Sequence, residues 1–142
     1  MLRKIITLGG LGDLPAPGTC GSVAALLLVF LKKSPLNWIA FLFTTLIFTF
    51  LIQMTSSEFE EDDPGYVNAD ELCGMWLALL ISGSRSLPEV IRTFIFFRIF
   101  DISKIFPVNR AENVPGSAGI MLDDLVAGAM AGGLELVWRH LR

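Results

Sequence analysis

Two pairs of adjacent acids, Asp70-Glu71 and Asp123-Asp124, and one acid between two cations, Asp101 with Arg98 and Lys104 three residues to either side, are the residues best equipped for chemistry. Asp63, held in front of Pro64, is a sixth acid of the same kind. Carboxylates unaccompanied by His or Cys select a hard cation. Mg²⁺ typically takes one or two of them, several waters and a substrate phosphate. Arg98, Lys104 and Arg110 suit the remaining phosphate charge. The combination points to phosphoryl chemistry, in which a metal polarises the phosphorus centre and prepares a water.

Each residue also has a plainer role open to it. Asp70 could cap a helix, with Glu71 as a first-turn dipole partner. Arg98, Asp101 and Lys104 could be no more than ion pairs at i, i+3. Asp62 reads as a solvated helix end. Asp123 and Asp124 resist such readings, because adjacent residues point about 100° apart on a helix of 3.6 residues per turn. Their stretch, GIMLDDLVAG (119–128), is otherwise apolar or glycine.

Other chemistries are excluded by what the chain lacks. Cys20 and Cys73 have no CxxC spacing and no arginine within the next ten residues, and the single histidine, His140, lies among the last three. Thiolate metal sites, disulfide scaffolds and cysteine-based phosphatases are therefore not expected, and both cysteines read as packing residues. A net charge of -3 with only two basic doublets, Arg3-Lys4 and Lys32-Lys33, argues against nucleic acid. The apolar run at the start is too short for a signal peptide, which favours the cytoplasmic side.

The elements that must position these groups are helices. Apolar runs are long, strand-like alternation is weak and no repeat is evident. The stretch LGGLGDLPAPGTCGS (8–22), with five glycines and two prolines, reads as a shaped loop whose Thr19 or Ser22 caps a helix over about 23–33. Further helices are expected over 36–60, from 68–70 to 81, and from Pro88 to about 105. A one-turn segment follows Pro107, and a last helix runs from 117 or 119 to 141. The expected fold is an all-α compact bundle of five to six helices around a central apolar helix, as one domain over 1–142.

Short connections make successive helices antiparallel. The glycine loop, Asp63, Asp70, Glu71, Asp101, Asp123, Asp124, Arg98 and Lys104 then gather at one end. Carboxylates so crowded repel, by about 4 kcal/mol for a pair 4 Å apart at an effective dielectric of 20, so something positive should offset them. The loop could cradle phosphate, although it lacks the Gly-Lys-Ser/Thr ending of a nucleotide-binding P-loop.

Composition also raises a membrane. Hydrophobic residues make up 53% and charged residues 18% of the chain, and 24 uncharged residues separate Lys33 from Glu58. That is enough to span a bilayer by the usual criterion of about 20 apolar residues. Three placements follow: a spanning helix, the central helix of a compact bundle, or a bundle partly sunk in the membrane face.

Four stretches, in order, resemble the phosphatidylglycerophosphatase A family of bacterial lipid phosphatases: GLGDLPAPGTCGS (10–22), DPGYVNADELCG (63–74), FFRIFDISKIFP (96–107) and GIMLDDLVAG (119–128). The resemblance covers nearly the whole chain. Departures are a loop one residue shorter between Pro15 and Pro17, Cys20 in place of an aromatic or aliphatic residue, and Ile105 in place of a proline; every acid of the pattern is retained. The resemblance implies an all-helical fold and Mg²⁺-dependent removal of the terminal phosphate of phosphatidylglycerophosphate at the cytoplasmic membrane. On this reading Asp70, Glu71, Asp101, Asp123 and Asp124 are catalytic. Asp63, Asp70, Glu71, Asp101 and Asp124 hold the metal, and Gly18, Thr19, Ser22, Arg98 and Lys104 bind substrate phosphate. Absence of an Asp-x-Asp signature favours water over a carboxylate as nucleophile. Alternatives are a phosphatase of another phosphomonoester, a non-enzymatic membrane protein binding cations through buried acids, and a scaffold whose acids only cap and pair helices. Homo-oligomerisation is left open.

Overall fold

Residues 2–30, 38–56 and 65–141 are described by a computed structural model. In order, they form α1 (Leu2–Ile6), a 3-10 turn (Leu11–Asp13), α2 (Pro17–Phe30), α3 (Trp38–Thr55), α4 (Ala69–Ser82), α5 (Leu87–Ser103), α6 (Val108–Glu112) and α7 (Ser117–His140). The all-α expectation holds: five substantial helices, and no strand among the described residues. The expected turn at 33–35 and the acidic helix end that includes Asp62 and Asp63 lie outside the described residues.

The bundle is organised around the pairing of α4 with α7. Three glycines permit it. A Cβ on Gly74 would meet the Asp124 carbonyl oxygen at 2.5 Å, one on Gly128 would sit on the carbonyl of Gly74, and one on Gly132 would meet the Ala78 oxygen at 2.7 Å. Around this seam Met75, Leu79, Val90, Phe97, Ala127 and Ala131 form one buried cluster. A second, built from Ile6, Phe41, Ile52, Cys73, Trp76 and Met121, ties α1 and α3 to the pair. Each large side chain so buried contributes about 1.5–3 kcal/mol.

Two expectations are corrected. The first long helix begins at Pro17, not near 23. Proline suits the first helical position, where its missing N–H costs nothing. Helical positions 18 and 21 are glycine because α4 comes too close for side chains: a Cβ on Gly21 would stand 2.5 Å from the Asn68 oxygen. The uncharged run is not the central helix either. α4 holds that place, and α3 lies outside, turning Ile39, Phe43 and Phe50 outward at 70%, 62% and 63% exposure. Among the described residues α3 is the one helix long and apolar enough to cross a membrane.

α5 is bounded by local chemistry. At its start the Glu89 carboxylate accepts the backbone N–H groups of Arg85 and Ser86, at 3.1 and 3.2 Å, closing a capping box. Its end is Lys104, in left-handed conformation at φ 46°, whose N–H donates to the Phe100 carbonyl at 3.1 Å. Far from the acid cluster, Arg92 of α5 grips the fully buried Glu135 of α7 with two bonds, Nε to Oε2 at 3.1 Å and Nη2 to Oε1 at 2.7 Å. Removing one partner of a buried pair leaves the other uncompensated, whereas removing both need not destabilise. Arg92→Ala is therefore expected to lower Tm by several degrees, and the Arg92→Leu/Glu135→Leu double variant to regain most of that loss, as read by thermal melts.

Candidate active site

The N-terminal turn of α4 is positioned by Asn68. Its backbone N–H donates to the Ile6 carbonyl at 3.2 Å. Its fully buried carboxamide, with nitrogen toward the carbonyls of Ile6 and Thr7, donates to both at 3.2 Å, and the amide oxygen accepts the Gly12 N–H at 3.2 Å. Gly12 is needed because a Cβ there would collide with the Tyr66 carbonyl. The glycine loop is thus anchored to α4 by one amide side chain, which holds Asp70 and Glu71, two and three residues further on, at a fixed place.

Three carboxylates meet there. Asp70 and Glu71 from α4 and Asp124 from α7 each offer an oxygen, all within 4.8 Å of one another. Asp70 Oδ1 accepts the Glu71 N–H at 3.0 Å. Asp124 is 3% exposed. Desolvation, then the charges of Asp70, Asp101 and Asp123, hold its carboxyl well above the usual carboxylate range. Burial, then the charge of Asp124, pushes Glu71 up to about 8. Glu71 Oε2 is buried and has no hydrogen-bond partner. A buried carboxylate oxygen without a donor, inside a triangle of acids, is costly unless a cation faces it. The donor set, three carboxylates with no nitrogen or sulfur, suits a hard divalent cation.

Beside the triangle runs a chain of ion pairs. Arg98 Nη1 donates to Asp101 Oδ2 at 2.6 Å, Lys104 Nζ lies 3.9 Å from Asp101 Oδ1, and Lys104 also bonds Asp123 Oδ2. Burial lowers the Lys104 pKa, but its bond to Asp123 and the charges of Asp123, Asp124 and Asp101 outweigh this and raise it. Burial raises the Asp123 carboxyl, and Lys104 opposes that rise. The adjacent acids therefore divide their work, Asp124 facing the acids of α4 and Asp123 facing a cation. Asp101 also shares a hydrogen bond with Asp124, which joins the chain to the triangle.

Of the residues expected to act here, Asp70, Glu71, Asp101, Asp123, Asp124, Arg98 and Lys104 converge. Asp101 stands outside the three-carboxylate group and pairs with Arg98 and Lys104. Gly18 belongs: a Cβ there would stand 3.2 Å from Arg98 Nη1 and closer still to the Glu71 carboxylate. Thr19 lines an apolar recess with Leu11, Val23 and Leu27. Ser22 is fully buried and donates its hydroxyl to the Gly18 carbonyl at 2.8 Å, so it is set aside as a phosphate ligand. Asp63 lies outside the described residues. Asn68 was not anticipated in its anchoring role; its signal was a polar residue just before the paired acids.

The family model for phosphatidylglycerophosphatase A matches residues 4–138. Among curated relatives, a Bacteroides thetaiotaomicron protein provisionally named phosphatidylinositol-3-phosphatase is 37% identical over 122 residues, covering 80% of this chain and 77% of that one. Phosphatidylglycerophosphatase A of Escherichia coli is 34% identical over 123 residues (83% and 71%). The Haemophilus influenzae enzyme of the same name is 37% identical over 122 residues (82% and 75%). No solved structure gives a significant match. With its four sequence blocks converging on one acid-rich site, the chain belongs to the phosphatidylglycerophosphatase A family and is a lipid phosphatase.

Proposed function

We propose that the chain removes the terminal phosphate of phosphatidylglycerophosphate to give phosphatidylglycerol, with Mg²⁺ held by Asp70, Glu71 and Asp124. The observation that carries the metal reading is the buried, unpartnered Glu71 oxygen within the 4.8 Å triangle. A divalent cation bound there supplies Lewis-acid polarisation of the phosphoryl group and offsets carboxylate repulsion. Arg98 and Lys104 bind the phosphate oxygens, and Asp101 holds both cations in register. Asp123 keeps Lys104 in place, while Gly18 leaves the phosphate room beside Arg98. The acids of the site position the attacking water, with Asp63 as an auxiliary acid. Trapping a stable phospho-aspartate in the wild-type chain would replace water with a carboxylate as nucleophile.

The substrate is proposed from the names of the two phosphatidylglycerophosphatase relatives and the phosphate-binding cations. A membrane location is proposed from the outward apolar face of α3, about 27 Å long at 1.5 Å per residue, close to the hydrocarbon thickness of about 30 Å. On this reading the chain acts as one domain at the cytoplasmic face of a bacterial inner membrane.

Metal removal tests the site. In detergent micelles containing phosphatidylglycerophosphate, chelation with EDTA is expected to abolish phosphate release and added Mg²⁺ to restore it. Mg²⁺ at about 100 times its dissociation constant should stabilise the wild type by about 2.7 kcal/mol, seen as a rise in Tm. Glu71→Gln should lose most of that rise. Phosphate release that persists undiminished in EDTA would sink the metal assignment.

A further inference from the structure

The apolar recess on α2 has a volume of about 260 Å³ and is lined by Leu11, Thr19, Cys20, Val23, Ala24 and Leu27. The lining includes no carboxylate and no cation, and Val23 and Leu27 stand 42% and 62% exposed at its wall. α2 thus has two faces of different use. Gly18, Gly21, Ser22 and Ala25, at i, i+3, i+4 and i+7, turn inward: Gly18 lies against Glu71 and Arg98, Gly21 against Asn68, and Ser22 and Ala25 are fully buried. Cys20, Val23, Ala24 and Leu27 repeat that spacing two residues on. At 3.6 residues per turn this puts them about 160° round the helix, on its outer side.

The recess is held in register with the acid site. Leu11 on its wall is followed by Gly12, which packs on the Tyr66 carbonyl and donates its N–H to Asn68, the residue that anchors the first turn of α4. The chain doubles back through left-handed Gly9 and Gly10, at φ 78° and 101°, and so brings Leu11 onto α2. On the inner side of the same first turn Gly18 borders Arg98 and the Glu71 carboxylate. An apolar site and a charged one therefore lie on either side of one helix end, separated by a helix diameter of about 10–12 Å.

A lipid phosphomonoester has the matching pattern: an anionic end, a polar spacer and hydrocarbon. In phosphatidylglycerophosphate two glycerol units and a phosphodiester separate the terminal phosphate from the acyl esters, a spacer long enough to pass over the end of α2. We infer that the recess holds the first methylenes of one acyl chain of the substrate, while the headgroup crosses the N-terminal end of α2 to the acid site. The phosphodiester stays outside the recess, whose lining has no acid to repel it. The inference rests on the phosphatase reading above and places the hydrocarbon part of the substrate, which that reading leaves unplaced. Burial of methylenes strengthens binding in proportion to their apolar area, so the site should select for chain length.

The test compares kcat/KM on dihexanoyl and dibutyryl phosphatidylglycerophosphate. The chains are wild type, Ala24→Trp, which fills the recess, Leu27→Gln, which makes its exposed wall polar without touching the core, and Gly133→Ala as a control elsewhere. Partition of the lipids into detergent is common to all of them, so a change in the hexanoyl-to-butyryl ratio reads the recess alone. Ala24→Trp is expected to lower that ratio about tenfold, the effect of roughly two buried methylenes, and Leu27→Gln about threefold. Gly133→Ala should leave it unchanged. The inhibition constant for inorganic phosphate and the Mg²⁺-induced rise in Tm should stay within about twofold and a degree of wild type, since neither involves hydrocarbon. An unchanged ratio in both recess variants, the result if detergent or bulk lipid covers α2, overturns the acyl assignment, as does a parallel loss of phosphate inhibition. The phosphatase reading then still stands, because it fails on a different result: wild type that releases phosphate from neither lipid.

Discussion

Asp124→Asn is expected to lower phosphate release by about a hundred- to a thousandfold, the range seen when one preorganised electrostatic group is removed from a catalytic site, while leaving the metal-free chain at least as stable as wild type. Asp124 is the point where the triangle and the ion-pair chain meet. Its carboxylate is buried among Asp70, Asp101 and Asp123, and each of these charges opposes its ionisation. Asparagine keeps the volume and can still donate to Asp101. It deletes one of several mutually repelling charges, so the empty fold loses nothing. The same neutral amide is a poor ligand for a hard cation, so the cost appears in activity and in Mg²⁺ affinity. Circular dichroism melts without metal, followed by phosphate release with Mg²⁺, separate the two effects. Full activity in this variant would return the acids to a purely structural role.

Gly128→Leu is expected to prevent folding, and Gly128→Ala to cost about 1–3 kcal/mol, the usual penalty for overpacking. A side chain at this position meets the Gly74 carbonyl, and Gly74 in turn is pressed against the Asp124 backbone and the Phe97 ring. Backbone cannot yield as a side chain can, so α4 and α7 must separate. Separation carries Asp124 away from Asp70 and Glu71, and activity should fall further than stability. Gly133 provides the control. It is also helical, but a Cβ there has nothing within 4 Å, so Gly133→Ala should stabilise by about 0.5–1 kcal/mol through backbone entropy. Urea midpoints of the three variants, with phosphate release for those that fold, decide the matter. A Gly128→Ala chain as stable as wild type would mean that the α4–α7 seam is not the tight contact described.

The convergence of the acids was legible because it needs only helix lengths and short connections: Asp70-Glu71 at one helix start, Asp101 near another's end and Asp123-Asp124 early in a third must meet if neighbours alternate in direction. What each acid does there was not legible. Asp123 and Asp124 are equivalent in sequence, and only the packing angle of α7 turns one to Lys104 and the other to α4. The start of α2 was hidden because glycine-rich sequence reads as loop, whereas here Gly18 and Gly21 are helical and make room for Glu71, Arg98 and Asn68. α3 carries apolar side chains all round, so periodicity could not say which face was inward or that the helix lies at the edge. The seam did leave a trace, Gly128 and Gly132 four residues apart on one helix face, the spacing through which helices approach closely.

Lys104 carries one more lesson. Its left-handed backbone, at φ 46°, is a conformation that costs a residue with a side chain about 1–2 kcal/mol and glycine almost nothing. A redesign that optimised folding alone would write glycine at 104 and gain stability. It would also erase the ammonium that holds Asp123 and that we propose binds the substrate phosphate. The strained end of α5 thus marks a position where selection for turnover and selection for stability pull in opposite directions, and thermostabilised versions of this chain should be judged by whether they leave that lysine alone.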